Sequence, residues 1–133
     1  DGRVQADFLK NIVNHEDIVM KSDGSSVRTY TYIADAILAM FKILLEGTEL
    51  VYNVSSDEET TIKRLAETLL ELPEANGLEL KIENHDENAK GTAAFKSGIL
   101  SAEKLKQELG WQARYDLKSG FQRTLEHLNQ EEK

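Results

Sequence analysis

The sequence predicts a mixed α/β domain of the α+β kind, with about five helices and short strands. Apolar residues recur at helical spacing in five stretches, and short runs rich in β-branched and aromatic residues separate these stretches. A chain of 133 residues is long enough for one hydrophobic core and lies within the size at which a single core is the rule. We therefore expect one domain over 1–133.

The first helix is predicted from a single apolar stripe formed by Val4, Phe8, Ile12 and Val13. A hairpin is predicted next, because the turn dipeptide Asp23-Gly24 separates two β-prone runs, 18–20 and 27–33. Alternation along the second run then places Arg28, Tyr30 and Tyr32 on one face.

Two interpretations of Arg28 follow from that face. An arginine between aromatic rings can form a flat surface that binds an anion. Alternatively, Arg28 pairs with a carboxylate on a solvated face while the tyrosines cover a core. The spacing alone is compatible with both.

The second helix is predicted to begin at Asp35, whose carboxylate favours a helix N-terminus, and to end at Gly47. The residues between them are apolar almost without interruption, which is typical of a helix buried on several sides. We therefore expect this helix at the centre of the domain, with Met40 and Phe41 in the core.

The run Leu50–Val54 is too apolar for an exposed edge and predicts a strand buried on both faces. Asn53 within it would have to be hydrogen-bonded, so it either ties two backbone segments together or faces a ligand. A strand without sheet neighbours tends to find a partner, so dimer contacts are an expectation here.

After position 54, the sequence predicts three further helices and one strand. The predicted elements are a helix from Ile62 to Leu72 ended by Pro73, a strand at 78–82 with one solvated face, a helix from Ser101 to Gly110, and a helix from Asp116 onwards. The polar stretch 83–92 predicts a loop. His85-Asp86-Glu87 within it does not predict a metal site, because adjacent residues rarely converge on one ion.

Composition excludes several classes of protein. The net charge of −8 repels a phosphate backbone and argues against nucleic acid as a partner. No apolar run approaches the roughly 20 residues that cross a bilayer. Cysteine is absent, which rules out thiolate chemistry and suits a reducing compartment, so we expect a cytoplasmic protein.

The chain also lacks the motifs of a complete catalyst. No glycines form the Gly-x-Gly-x-x-Gly turn that holds a dinucleotide pyrophosphate, and no tyrosine is followed four residues later by lysine. Catalytic and cofactor-binding residues are therefore not expected in this chain alone.

Several segments, in order and spacing, resemble the C-terminal part of the extended short-chain dehydrogenase/reductase family, and in particular its NAD-dependent nucleotide-sugar epimerases, 4,6-dehydratases and decarboxylases. The segments are Asp-Gly-Arg-Val-x-x-x-Phe at 1–8, Asp-Gly-Ser-x-x-Arg-x-Tyr-x-Tyr-Ile-x-Asp at 23–35, Tyr-Asn-Val at 52–54, Thr-Ile-x-x-Leu-Ala-Glu at 61–67 and Glu-Leu-Gly-Trp at 108–111. The resemblance implies a substrate-binding domain fragment whose NAD-binding Rossmann domain lies upstream in the parent.

The resemblance also implies roles for individual residues. Arg28 is similar to the family arginine that contacts the substrate diphosphate, and Asn53 lies in the strand that closes the cofactor domain's sheet. Arg3, Val4 and Phe8 match a stretch near the nucleotide. Lys90 stands where many relatives carry a second arginine, and lysine offers a point charge without a bidentate fork.

One further departure concerns base recognition. Lys21-Ser22 replaces the aromatic or glycine-containing step on which many relatives stack a base. The sugar, the base and the reaction therefore stay undetermined by the sequence.

Two hypotheses follow. The first is the substrate-binding part of an NAD-dependent nucleotide-sugar epimerase, dehydratase or decarboxylase that binds a nucleoside-diphosphate sugar, with NAD bound by the parent. The second is a free-standing, non-catalytic interaction module that reuses the fold.

Overall fold

The computed structural model of the chain describes residues 3–83 and 99–131. Within these ranges it contains five α-helices, four three-residue strands and one 3-10 turn, so the predicted mixed α/β class is confirmed. In chain order the elements are α1 (Val4–Val13), β1 (Ile18–Met20), β2 (Val27–Thr29), α2 (Ile33–Glu46), β3 (Glu59–Thr61), α3 (Ile62–Leu70), the 3-10 turn (Pro73–Ala75), β4 (Leu80–Ile82), α4 (Glu103–Leu109) and α5 (Leu117–Glu131).

The strands form two separate pairs. β1 and β4 are parallel, with Ile18 opposite Leu80, whereas β2 and β3 are antiparallel, with Val27 opposite Thr61. The predicted hairpin between β1 and β2 is therefore wrong, although the chain does turn at Gly24, which has a φ of +70°.

The start of α3 explains why the two strands do not pair with each other. The N–H groups of Lys63 and Ile62 donate to the carbonyl oxygens of Gly24 and Ser26, at 3.0 and 3.1 Å. These bonds hold the turn against α3 and place β2 beside β3, which immediately precedes that helix.

The main core lies between α1, α3, α5 and β1. It is built from the apolar stripes of the three helices, and among its fully buried side chains are Phe8, Ile18, Met20, Leu65, Leu69 and Leu125. A smaller cluster joins α2 to α4 through Ala39, Ala102, Leu105 and Trp111.

The prediction that α2 is the central helix is wrong. Ala39 and Asp35 are its buried residues, and the helix packs on one side only, against α4 and the segment that follows α4. Met40 and Phe41, expected in the core, are 62% and 57% exposed. The apolar sequence of α2 therefore includes a face that the described part of the chain does not cover.

The predicted strand at Leu50–Val54 is also wrong. The described structure assigns no strand there, Leu50 is fully exposed, and Asn53 is exposed rather than buried. A strand requires a hydrogen-bonded neighbour, and none of the described segments pairs with this one.

Asp35 does not cap its own helix, contrary to the prediction. Its Oδ2 accepts hydrogen bonds from the backbone N–H groups of Arg114 and Tyr115, both at 3.0 Å, and its carbonyl oxygen accepts one from Trp111 Nε1. The residue is 2% exposed, so this buried group anchors α2 to the segment between α4 and α5.

Two other predicted features agree with the structure. α4 ends at Gly110, whose φ is +64°, and Trp111 beyond it is buried. α3 ends before Pro73, which begins the 3-10 turn. No helix in the described ranges has the length and apolar character needed to cross a membrane.

Candidate functional site

A cleft of about 520 Å³ lies between α1, the end of β1 and the start of α3. Because Val4, Phe8 and Asn11 lie three or four residues apart, α1 presents them on one side. The lining residues are Val4, Asp7, Phe8, Lys10, Asn11, Glu16, Val19, Met20, Lys21, Ser22 and Ile62.

The cleft combines an apolar base with a polar rim. Phe8, Met20 and Ile62 are buried, whereas Lys10 and Lys21 are exposed. Such a combination suits a ligand with a flat apolar part and an anionic part, because the lysine ammonium groups attract anions while the buried side chains exclude water.

Two carboxylates on the cleft, Asp7 and Glu16, oppose that attraction. The side-chain amide of Asn11 lies 3.5 Å from Glu16 Oε2, at the limit of a hydrogen bond. The rim therefore carries both signs of charge, and its two lysines are balanced by two acids.

The turn at 22–26 borders the cleft and is held rigidly. Asp23 Oδ1 accepts hydrogen bonds from the N–H and the hydroxyl of Ser25, at 3.0 and 2.8 Å, and these bonds lower the pKa of Asp23. Gly24 is buried at the centre of the turn, where a Cβ would lie 2.5 Å from Met20 Sδ and 2.8 Å from the backbone nitrogen of Lys63. No residue larger than glycine fits there without displacement.

Arg28 follows this turn on β2 but does not line the cleft. Its side chain is half-buried, and its Nη1 donates to the carbonyl oxygen of Val27 at 2.9 Å. Within the described ranges no carboxylate lies within ion-pair distance of the guanidinium. Burial raises the pKa of the neighbouring Tyr30 phenol, and the positive charge of Arg28 counteracts part of that rise.

The tyrosines predicted to accompany Arg28 pack against α5 and the segment before it. Tyr30 meets Phe121 edge to face, with ring centroids 5.5 Å apart, and Tyr32 lies 4.6 Å from Tyr115. Tyr30, Tyr32 and Phe121, together with Gly120, line a second cleft of about 270 Å³.

The cleft beside α1 brings together two of the six predicted site residues, Val4 and Phe8. Arg3 immediately precedes Val4 at the start of α1 and is exposed. Asn53 is exposed in the segment after α2 and does not line the cleft, and Lys90 lies outside the described residues.

Sequence reasoning did not single out Lys10 and Asn11, although both line the cleft. The signal was present, because Asn11 stands three residues after Phe8 and four after Asp7, on the side of the helix that faces the cleft. Lys21 and Ser22 were noted for departing from the family pattern, and the structure places both on the cleft.

A metal-binding arrangement is not seen in the part of the chain that the structure describes, where no group of three or more histidine, cysteine, aspartate or glutamate side chains could hold an ion.

Comparison with known proteins identifies the family. The family model described as GDP-mannose 4,6 dehydratase matches residues 3–124, which is most of the chain. The chain belongs to the NAD-dependent nucleotide-sugar epimerase/dehydratase family. The resemblance predicted from the ordered motifs is thereby confirmed.

Curated relatives of this epimerase/dehydratase chain include UDP-glucuronic acid decarboxylase 3 of Arabidopsis thaliana, which is 28% identical over 122 residues. UDP-D-apiose/UDP-D-xylose synthase 2 of the same plant is 27% identical over 135 residues. The matches cover 91% and 92% of this chain but 34% of each relative, so the chain spans about a third of their length.

Solved structures share its fold. UDP-glucose 4-epimerase from Thermotoga maritima, determined with UDP-glucose, superposes with a TM-score of 0.79 at 24% identity, covering 98% of this chain and 40% of the epimerase. dTDP-glucose 4,6-dehydratase from Bacillus anthracis, determined in complex with NAD, gives 0.75 at 21% identity, covering 94% and 38%.

Proposed function

We propose that this chain is the substrate-binding part of an NAD-dependent nucleotide-sugar epimerase, dehydratase or decarboxylase. In this proposal it holds the nucleoside diphosphate of the sugar donor, and the rest of the parent polypeptide binds NAD and carries out hydride transfer. The observation that supports it most directly is that the family match covers residues 3–124 and that Val4 and Phe8, from one of the matching motifs, meet in one cleft.

The cleft would receive the base and ribose. Phe8, Met20 and Ile62 offer a buried apolar surface, and Asn11 offers an amide that can both donate and accept hydrogen bonds. Lys21 would then lie near the first phosphate, where an ammonium group stabilises negative charge.

Arg28 would bind the diphosphate beyond the turn at 22–26. A guanidinium presents several N–H donors in a fixed plane, which suits two phosphate oxygens at once, and one of them donates to Val27. The remaining donors have no carboxylate partner within the described ranges, so they are available to a phosphate.

Replacement of this arginine tests the proposal. In the parent polypeptide, Arg28→Ala is expected to weaken binding of a nucleoside diphosphate by about 1.5–3 kcal/mol, the scale of a charge-assisted hydrogen bond, or roughly 10- to 150-fold in Kd. Titration calorimetry with UDP, GDP and dTDP measures the loss and also shows which base is preferred.

Arg64→Ala is the matched control. Arg64 is an exposed arginine of α3 that lies near Glu67 and Glu71, away from the cleft, so its removal should leave the affinity unchanged. Equal affinities for the Arg28→Ala variant and the unsubstituted protein would contradict the role of Arg28. The affinity of a Lys21→Ala variant for the same nucleotides, measured in the same way, tests whether the cleft takes part in binding.

The alternative, a free-standing interaction module, is separated from this proposal by the reading frame. A Gly-x-x-Gly-x-x-Gly strand-turn-helix encoded before Asp1 favours the enzyme. A start codon next to Asp1 favours the module.

A further inference from the structure

A cleft of about 450 Å³ lies where the last turns of α1 and α5 meet the 3-10 turn. We call it the Glu74 cleft, and its polar lining residues are His15, Glu74, Asn76 and Asn129. It shares no lining residue with the cleft beside α1 to which the proposed function assigns the nucleotide. The two clefts are therefore separate.

Glu74 carries a carboxylate oxygen without a partner. Its Oε2 is buried, and no donor among the described residues forms a hydrogen bond with it, whereas every other buried side-chain nitrogen and oxygen in these ranges has a partner. Burial of an ionised oxygen is unfavourable unless a donor or a cation compensates it. Because the charge of a carboxylate is shared by both oxygens, a cation in the cleft would compensate the buried one as well.

Two helix ends add negative potential to the Glu74 cleft. Val13 is the last residue of α1 and Asn129 lies in the last turn of α5, and both line the cleft. The C-terminal end of a helix carries about half a negative elementary charge. The lysine in the last turn of α1, Lys10, lines the other cleft, and α5 has no basic residue in its last turn.

None of the described lining residues of the Glu74 cleft is a lysine or an arginine. The carboxylate and the two helix ends therefore meet without a cation from the cleft's own lining. The net charge of −8 on the chain adds to this negative potential and raises the local concentration of cations.

His15 lies in the cleft at the point where α1 ends. Its φ is +58°, its N–H donates to the carbonyl oxygen of Ile12 at 3.0 Å, and the N–H of Glu16 donates to that of Asn11 at 2.8 Å. Glycine is the usual residue at this position of a helix end, because it adopts positive φ without steric cost. Here an imidazole stands there instead, and its unprotonated nitrogen can accept a hydrogen bond.

The other lining residues indicate which class of cation fits. Asn76 and Asn129 offer amide oxygens as acceptors, and Ile12, Val13 and Pro73 offer aliphatic surface. A primary ammonium group has three N–H donors for the acceptors, and a short alkyl chain suits the aliphatic side. A metal ion is a poorer match, because no group of three histidine, cysteine, aspartate or glutamate side chains in the described ranges could hold one.

We propose that the Glu74 cleft binds a small primary alkylammonium ion. Glu74 is its counter-ion, and the imidazole of His15 and the amide oxygens of Asn76 and Asn129 accept its hydrogen bonds. This site does not depend on the proposed function, because nucleotide binding is assigned to other residues.

Titration of the ¹⁵N-labelled 133-residue chain with n-butylammonium, followed by NMR, tests the proposal. We expect a Kd on the order of 1 mM, inside the affinity ceiling for so small a ligand, with the largest shifts at the signals of His15, Asn76 and Asn129. Tetramethylammonium has the charge without an N–H donor, and 1-butanol has the alkyl chain without the charge. Each should bind at least about tenfold more weakly, because the charge-assisted hydrogen bonds are lost.

Glu74→Gln retains the shape of the side chain and removes its charge, so it should weaken butylammonium binding at least about tenfold. Glu103→Gln is the matched control, because it removes the same charge from α4, which packs against α2 and not against this cleft. The control variant should bind butylammonium as tightly as the unsubstituted chain.

Asn129→Lys tests the site without removing Glu74. Asn129 is half-buried, so a lysine there can place its own ammonium group in the cleft without disturbing the core. We expect this variant to lose butylammonium binding. Its midpoint of thermal unfolding should also be higher than that of the Asn129→Lys, Glu74→Gln double variant, in which the lysine has no counter-ion.

Three outcomes would overturn the proposal. Equal affinity of the Glu74→Gln variant and the unsubstituted chain would remove Glu74 from the site. Tetramethylammonium binding as tight as that of butylammonium would show that the negative potential attracts any cation. Absence of saturable shifts at His15, Asn76 and Asn129 would leave water as the partner of the buried oxygen.

Discussion

Gly24 shows how one residue fixes the rim of the cleft. Its φ of +70° lies in the left-handed region, and the atoms that an added Cβ would meet first, Met20 Sδ and the Lys63 nitrogen, leave no room for a side chain. The turn therefore depends on glycine for two separate reasons, backbone conformation and space.

Gly77 allows the energetic cost of the backbone conformation to be measured without the cost of limited space. It has a φ of +83°, but a Cβ there would meet nothing within 4 Å. We expect Gly77→Ala to lower the free energy of unfolding by about 1–2 kcal/mol, the cost of a left-handed backbone. Gly24→Ala should lower it by roughly 1–3 kcal/mol more, because of the added overlap.

Urea denaturation followed by circular dichroism measures both glycine variants. Equal losses in the free energy of unfolding for the two variants would show that Met20 and Lys63 move aside without an energetic cost. The turn would then be less rigid than its contacts indicate.

At the same scale, the positions of some candidate residues could be predicted from the sequence and those of others could not. Val4 and Phe8 could be placed on one face because helical spacing is local and regular. The position of Arg28 relative to the cleft could not be derived in the same way, because it depends on the turn at 22–26 and on the pairing of β2 with β3. Asn53 was expected to be buried because its neighbours are apolar, but Val51 and Asn53 are exposed, and only Tyr52 and Val54 pack partly against the cluster around Trp111.

Among the elements, the parallel pair of β1 and β4 is held by a charged contact at its start. Lys81 Nζ lies 2.6 Å from Asp17 Oδ2, and Asp17 Oδ1 accepts a hydrogen bond from the Glu79 N–H at 2.9 Å. The Lys81 hydrogen bond, with a smaller contribution from the Glu79 N–H, lowers the pKa of Asp17 below its usual 3.8.

This depressed pKa predicts a loss of stability in acid. A carboxyl group whose pKa is lower in the folded state stabilises the fold above its unfolded-state pKa, and that stabilisation disappears as the pH falls through the folded-state value. We expect the free energy of unfolding to decrease less between about pH 5 and pH 2 in Asp17→Asn than in the unsubstituted chain. Urea titrations at a series of pH values measure the difference.

Lys81→Gln provides the matched comparison, because it removes the main partner and leaves the carboxyl group in place. Like Asp17→Asn, it should reduce the decrease in the free energy of unfolding between about pH 5 and pH 2. A slope identical to that of the unsubstituted chain in both variants would show that the contact has no energetic role in solution.

The elements also show what sequence patterns can and cannot predict. Helix ends were predictable, because breakers such as Gly110 and Pro73 act within a few residues, whereas α2 begins at Ile33 and not at Asp35 as predicted. Strand partners were not, because Ile18 pairs with Leu80, 62 positions away, and the wrongly predicted hairpin was the more local choice. The apolar sequence of α2 was recognised, but the prediction that this helix is buried at the centre of the domain was wrong, because Met40 and Phe41 are exposed.

On the scale of the whole molecule, the proposed function assigns substrate binding to this chain and NAD binding to the rest of a larger parent polypeptide. It carries no glycine-rich turn for a pyrophosphate, and the first N–H groups of α3 are already used by the carbonyl oxygens of Gly24 and Ser26. No anion can occupy that helix start without displacing the turn.

We therefore expect the 133-residue chain to bind no NAD by itself. Calorimetric titration with NAD into the chain should give only heats of dilution. Saturable binding in the micromolar range would contradict this expectation and would reveal a dinucleotide site within the chain. A parallel titration with UDP shows whether the cleft retains its own affinity.

Asp35 has a consequence for how this region can change during evolution. The carboxylate binds the backbone N–H groups of Arg114 and Tyr115, so their side chains take no part in the anchor. Substitutions at positions 114 and 115 can change the side chains near the second cleft, where Tyr115 packs against Tyr32, without removing these two hydrogen bonds. This hydrogen-bonded attachment of α2 is therefore open to any residue other than proline at those two positions, because only the backbone N–H groups take part.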